Sequence, residues 1–291
     1  MPGLRPSRPE EVPRQKELWK AAFHDEDPYI DLYYDHCHRP EQVLVLEADG
    51  EIRTMVAAFP LQLCLPDGTS VPSAYLYAFA TDPRDRGKGY GRRVYAYAEE
   101  RFSSNGAAGT TTVPAEPSLF RYFSSIGYRK CFSHRKAEYS RKVLPPIPAD
   151  GQIRPVEAAH YNALRNELLK GTFYASYSDE LIAHQKAISQ LAQADIYALE
   201  LGGVSGLAAA EYFDGDSVLI KELLFPGKRL AEAVSLVAGQ LPACRYFVRT
   251  PAFWELPGGY IQDFGMVKWF DQHLDWQLGR EVHGYLGLAF D

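Results

Sequence analysis

The sequence predicts an α/β protein with a mixed, α+β type sheet, built as two tandem domains. Three observations carry this expectation. An apolar run, Tyr75 to Thr81, leads through a glycine-rich segment into a helical pattern. Upstream of it, apolar runs are separated by Asp-Gly turns, the pattern of an antiparallel meander. A proline-rich stretch, Leu144 to Gly151, then divides the chain into halves whose patterns echo one another.

Taken in order, Glu11 to Phe23 has the spacing of a helix, and an acidic and aromatic segment, Asp25 to Asp35, follows it. Val43 to Glu47, Ile52 to Leu65 and Val71 to Thr81 read as three strands joined at Asp49-Gly50 and Asp67-Gly68. Val94, Tyr97, Ala98, Arg101 and Phe102 recur at i, i+3, i+4, i+7 and i+8, which predicts a helix with one mostly apolar face. Thr110 to Val113 then reads as a short strand, Ser118 to Ile126 as a helix stopped by Gly127, and Lys136 to Ser140 as a strand.

Prolines 145, 146 and 148 lack amide donors and fix the backbone, so 144–151 is read as a linker between domains 1–144 and 152–291. Ile153-Arg154-Pro155 echoes Leu4-Arg5-Pro6 and leads into a helical stretch, Ala158 to Leu169. Ile196 to Leu201 with Gly202-Gly203 echoes the first hairpin, and Val218 to Phe225 followed by Ala231 to Val234 echoes the strand, loop and helix. The two halves are read as diverged copies of one fold. The closing Tyr285 to Asp291 is read as a terminal strand.

The segment Arg86-Gly87-Lys88-Gly89-Tyr90-Gly91-Arg92 carries the chemistry. Glycines let successive amides converge on one anion, the following helix adds its positive end, and Arg86, Lys88 and Arg92 supply counter-charge. A P-loop is excluded because Gly89-Tyr90 follows Lys88 where Ser or Thr is needed. A dinucleotide fingerprint is excluded because its third glycine position, counted from Gly87, holds Arg92.

What fits is Arg/Gln-x-x-Gly-x-Gly/Ala preceded by a strand and Thr81-Asp82-Pro83. This resembles the pyrophosphate loop of the GCN5-related N-acetyltransferases, with residues 40 to 130 most similar to the N-terminal half of the multidomain Eis-like members. The resemblance implies two tandem domains of that fold and acetyl-CoA as acyl donor, with no metal. It implies that main-chain amides near Phe79, Ala80 and Thr81 bind the acyl carbonyl, and that Arg86, Gly87, Lys88, Gly89, Tyr90, Gly91 and Arg92 hold the cofactor. The family's thiolate acid is a tyrosine four residues before a Gly-Tyr/Phe ending. Gly127-Tyr128 matches that ending, but the expected position holds Phe123, and Tyr122 sits one residue, about 100° of helix, away. Tyr122 is the candidate acid, with water as the alternative proton donor and aromatic packing as its other reading.

Glu116, after the strand at 110 to 113, is the candidate base. Asp27 and Asp31, with Tyr33 and Tyr34, lie on the segment that in the family covers the acceptor, so they are candidates for substrate contact, with surface charge and packing as the alternative. In Eis-like proteins the terminal carboxylate serves as a base, which makes Asp291 a further candidate. The second copy keeps one glycine in Phe225-Pro226-Gly227-Lys228-Arg229-Leu230-Ala231, so it is read as degenerate and not binding CoA.

At 291 residues with 46% apolar composition, each half can bury a core. A net charge of −6 argues against a nucleic-acid partner and suits a cationic acceptor, a small amine or a lysine. No apolar run reaches a membrane span and the N-terminus lacks a signal-peptide core, which predicts a cytoplasmic protein. The four cysteines form no CxxC pair, and His36-Cys37-His38 lacks a second ligand pair, so neither disulfides nor zinc is expected. The expected function is an N-acetyltransferase working through a ternary complex. A non-catalytic acyl-CoA sensor, or an acyl or aminoacyl transferase with another donor, are the alternatives.

Overall fold

The computed structural model describes residues 2–271, 273–274 and 283–290. Its elements run β1 (Gly3–Pro6), α1 (Val12–Phe23), α2 (Asp27–His36), β2 (Val43–Ala48), β3 (Glu51–Cys64), β4 (Ser70–Thr81), α3 (Tyr90–Ser104), β5 (Gly109–Thr112), α4 (Pro117–Ser125) and β6 (Arg129–Ser140). They continue β7 (Gly151–Pro155), α5 (Ala158–Leu169), β8 (Tyr174–Ser176), α6 (Asp179–Leu191), β9 (Ile196–Leu201), β10 (Val204–Asp214), β11 (Ser217–Leu224), α7 (Leu230–Gln240), β12 (Arg245–Pro251) and β13 (Tyr260–Trp269). This is the mixed α/β fold the sequence predicts. The acidic and aromatic segment after α1 is itself a helix, with Ile30 and Tyr33 buried three apart on one face.

The chain forms two compact units. One comprises Met1–Leu63, Ser70–Lys130 and Gly265–Arg280; the other comprises Cys64–Thr69, Cys131–Phe264 and Glu281–Asp291.

In the first unit the strands lie in the order β1-β2-β3-β4-β5-β13. The β2–β3 turn places Asp49 and Gly50 at φ 55° and 77°, the left-handed pair that a two-residue hairpin needs to match strand twist. Strand β4 runs parallel to β5, from Ser73 opposite Gly109 to Leu76 opposite Thr112. Strand β13 closes the sheet antiparallel to β5, from Met266 opposite Thr112 to Trp269 opposite Gly109. The core joins Leu44, Leu46, Val56, Leu76 and Met266 of the sheet to Val94, Tyr95 and Ala98 of α3 and Phe123 of α4.

In the second unit the order is β7-β9-β10-β11-β12-β6. The echo between Ile153-Arg154-Pro155 and Leu4-Arg5-Pro6 is structural: β1 pairs antiparallel with β2, and β7 with β9. Strands β11 and β12 are parallel like β4 and β5. The sixth place is filled by β6, antiparallel to β12, from Arg245 opposite Ser140 to Pro251 opposite His134. The strand following the first copy's α4 thus completes the second sheet, and one near the end of the chain completes the first. The core packs Val218, Ile220, Leu223, Tyr246 and Val248 against Leu230, Val234 and Val237 of α7.

The expected terminal strand is corrected. Among the described residues of this segment, only Gly284 and Tyr285 make bridges, to Phe132 and Tyr174. Beyond them Gly287, Ala289 and Phe290 have φ of 73°, 48° and 57°, which an extended strand does not contain.

Candidate active site

Strand β4 positions the site through one irregular residue. Ala78 sits at φ 46°, a left-handed conformation that a β-carbon normally disfavours and that marks a bulge. An extra residue reverses side-chain alternation. Tyr77 stacks on Phe59 and Tyr75 lies tilted against it, and Tyr77 lies 5.3 Å from the Trp19 ring on α1, whereas Leu76 and Phe79 both face α3. The ladder with β5 covers Ser73 to Leu76, so β4 leaves its neighbour just before the bulge. Phe79, Ala80 and Thr81 lie beyond that ladder, and the Asp82 amide donates to the Arg53 carbonyl on the β3 side.

The loop is built on ionic contacts. Asp82 caps the turn Pro83–Asp85 by accepting the Arg84 amide at 3.0 Å, and its buried carboxylate also meets the Arg84 guanidinium at 2.7 Å and Arg14 at 2.5 Å. Those partners, Arg84 first, hold its carboxyl well below the usual range. Gly87 and Gly89 follow at φ 82° and 76°, where an added Cβ would meet nothing. Backbone conformation therefore demands glycine there. Gly89 is the N-cap of α3 and no side chain caps it. A helix N-terminus leaves up to four amides unpaired, and here they face an exposed glycine loop.

Gly91 has a different reason from the one read in the sequence. Its φ is not positive, and a Cβ would lie 2.5 Å from Cζ of Phe79. It makes room for Phe79, whose ring meets Tyr95 edge-on at 4.7 Å, and so locks the bulged strand onto α3. The cations also divide. Lys88 Nζ is bound to Asp85 Oδ1 at 2.7 Å, while the exposed Arg86 and Arg92 side chains make no hydrogen bond or ion pair among the described residues.

On α4 the inward position belongs to Phe123, 2% exposed and packed against Tyr95 and Tyr128. Tyr122 is half-buried on the side of α3, near enough to Arg92 and Glu99 to feel both charges. Burial raises its phenol pKa, so the hydroxyl stays protonated at neutral pH. Glu116 is the exposed N-cap residue of α4, past the end of β5, and accepts from Ser118 at 3.2 Å. Tyr122 and the loop thus share the α3 side, and Glu116 lies where the chain leaves β5.

The acceptor candidates are dispersed. Asp31 is paired with Lys16 and Asp27 with Lys20, each at 2.5 Å, which ties α2 to α1. Tyr33 is 2% exposed in a cluster with Trp19, Phe59 and Tyr77, and Tyr34 donates to Gln15 and lies under Lys16. Asp291 lies outside the described residues. Sequence reasoning missed Ala78, Tyr95 and Asp85. A left-handed alanine has no compositional signal, and the other two become notable only through their neighbours. Among the described residues no group of His, Cys, Asp or Glu is arranged to hold a metal, and no helix is long and apolar enough to cross a membrane.

An acetyltransferase (GNAT) domain model matches residues 3–130. No curated protein matches the chain significantly. Among solved structures, the chain is similar to a GCN5-related N-acetyltransferase from Anabaena variabilis, at TM-score 0.74 and 14% identity over 94% of this chain and 74% of that one. It is similar also to a probable N-acyltransferase from Enterococcus faecalis, at TM-score 0.70 and 13% identity over 94% and 73%. Eis1 from Mycobacterium abscessus gives TM-score 0.70 and 13% identity over 94% and 75%. These likenesses extend the fold match across both units. Residues 3–130 are thus similar to a GNAT acetyltransferase domain, and the uncapped glycine loop at the end of the bulged strand lies within them.

Proposed function

We propose that the first unit transfers an acetyl group from acetyl-CoA directly to an amine, in a ternary complex, and that the second unit is a non-catalytic copy. The observation that carries this reading is the uncapped N-terminus of α3, where left-handed Gly87 and Gly89 present amides to solvent. Those donors, with exposed arginines beside them, fit a diphosphate. Amides of β4 beyond Leu76 lie on the same path and would polarise the thioester carbonyl.

The neutral amine attacks the carbonyl carbon, the carbon–sulfur bond breaks, and the sulfur takes the electron pair. Tyr122 donates its phenol proton to the thiolate, and the nitrogen's excess proton leaves through water to Glu116. Burial of Tyr122 supports the acid role, because a phenol that stays protonated well above neutrality is available throughout the working range. We place this reaction in the cytoplasm, with a small amine or a lysine as acceptor.

Phe123, a core residue where the family keeps its acid, favours the sensor reading as the second possibility. Thiol release from acetyl-CoA over a panel of amines decides between them. Turnover on any amine supports the transferase, whereas tight CoA binding without turnover supports the sensor. Release only from a different acyl or aminoacyl donor supports the third reading.

A further inference from the structure

Of the three cations that the loop offers a diphosphate, the structure engages one. Lys88 Nζ is held at 2.7 Å by Asp85, a carboxylate only 5% exposed at the base of the loop. Asp85 is fixed by its main chain: its amide donates to the Asp82 carbonyl at 2.9 Å, and its carbonyl accepts from the Lys88 amide at 3.4 Å. Its second oxygen, Oδ2, accepts no hydrogen bond and has only Arg53 near it, at 3.6 Å, while Arg53 is closer to Glu51 at 2.7 Å. Lys88 is therefore the main counter-charge of a buried carboxylate, and moving it toward a phosphate would leave that carboxylate poorly paired. Arg86 and Arg92 carry no such obligation.

We propose that Asp85 is a positioning residue that withholds Lys88 from the bound diphosphate, so that the loop amides, Arg86 and Arg92 compensate the phosphate charge. This rests on the acetyl-CoA reading. The arrangement moderates affinity for an anion common to donor and product, which lets free CoA leave after transfer.

Calorimetric titration with CoA at several salt concentrations tests both levels separately. Binding by the wild type that is lost in Gly89→Glu upholds the donor reading, and no binding by the wild type overturns that reading and the proposal with it. Given binding, Arg86→Gln and Arg92→Gln should each weaken it about tenfold and flatten its salt dependence, as expected when a charge-assisted contact is lost. Lys88→Gln should change it less than about twofold, and Asp85→Asn should tighten it about threefold by freeing one exposed charge. Asp85→Glu, which keeps the tie, should restore wild-type affinity. The gain from Asp85→Asn should shrink in the Lys88→Gln background, which a purely structural role for Asp85 would not produce. The proposal is overturned if Lys88→Gln costs as much as either arginine variant. It is equally overturned if Asp85→Asn weakens binding by the same factor with and without Lys88. Should Asp85→Asn fail to fold, Lys88→Gln against the arginine variants decides alone.

Discussion

The helices α3 and α7 each follow a strand and a loop in their own unit, neither start is capped by a side chain, and they differ in their neighbouring cations. At α3 the cap is Gly89, no side chain satisfies the first amides, and Arg86 and Arg92 beside it make no ion pair among the described residues. At α7 the cap is Arg229, whose guanidinium is bound by Asp150 at 3.0 Å and by Glu232 in the helix's own first turn. The cation at the start of α7 is thus neutralised by carboxylates of the chain itself. Low folded pKa values of Asp150 and Glu232, each set first by the hydrogen bond from Arg229, fit that pairing. The two helix starts thus differ in whether the cations beside them are neutralised within the chain.

The strands before the helices teach the same lesson. Strand β4 bulges at Ala78, and β11 has a register shift in the corresponding place, where Ala209 opposes Glu222 and Ala210 opposes Ile220. In the first unit, residues next to the bulge face an aromatic cluster. In the second, Glu222 is fully buried, paired with Arg165 at 3.0 Å and accepting from Tyr161 at 2.8 Å. The terminal segment packs over it: a Cβ on Gly287 would meet Arg165 Nη2 at 2.6 Å, and Tyr177 donates to the Leu286 carbonyl. The irregular strand is lined by aromatic rings in the first unit and by a buried ion pair in the second.

Breaking this ion pair should have the largest effect. Glu222→Ala leaves Arg165 buried without its counter-ion and should cost about 3–5 kcal/mol of stability, visible in urea unfolding. A smaller loss would mean that water reaches the pair. Gly89→Glu should weaken CoA binding at least about a hundredfold, roughly 2.7 kcal/mol, with a stability cost of about 1–3 kcal/mol for forcing a left-handed side chain. Gly227→Glu in the second copy, at φ 87°, carries the same strain but should leave CoA affinity unchanged. Equal effects on binding would erase the proposed difference between the units.

Tyr122→Phe should lower kcat about ten- to a hundredfold with little change in KM, at the low end of general-acid contributions because a thiolate leaves readily. Since its folded pKa is raised, the wild-type rate should not fall from loss of this proton near pH 10, where an ordinary tyrosine titrates. A fall there that is absent in Tyr122→Phe would show that this phenol titrates at its ordinary value, and an unchanged kcat in Tyr122→Phe would refute the acid assignment. Arg229→Ala should be the mildest change, with little shift in the urea midpoint, because its ion pairs are screened by solvent. It should create no second CoA site, because Asp150 and Glu232 would then repel an anion. A stoichiometry of two in calorimetry would contradict that.

The sequence by itself determined what short-range stereochemistry dictates. Asp49-Gly50 names a hairpin, the glycine loop between an apolar run and a helical pattern names an anion cradle, and repeated local patterns name two copies. Each signal spans only a few residues, so chain neighbours suffice to read it. Tertiary structure alone decided which strands complete which sheet, since β6 and β13 take their places through partners more than 100 positions away in sequence. It also decided that Gly91 serves Phe79, that Phe123 turns inward and Tyr122 toward α3, and that Lys88 belongs to Asp85. Those outcomes depend on burial and on the competition of charges for partners, quantities that exist only once distant segments share one interior.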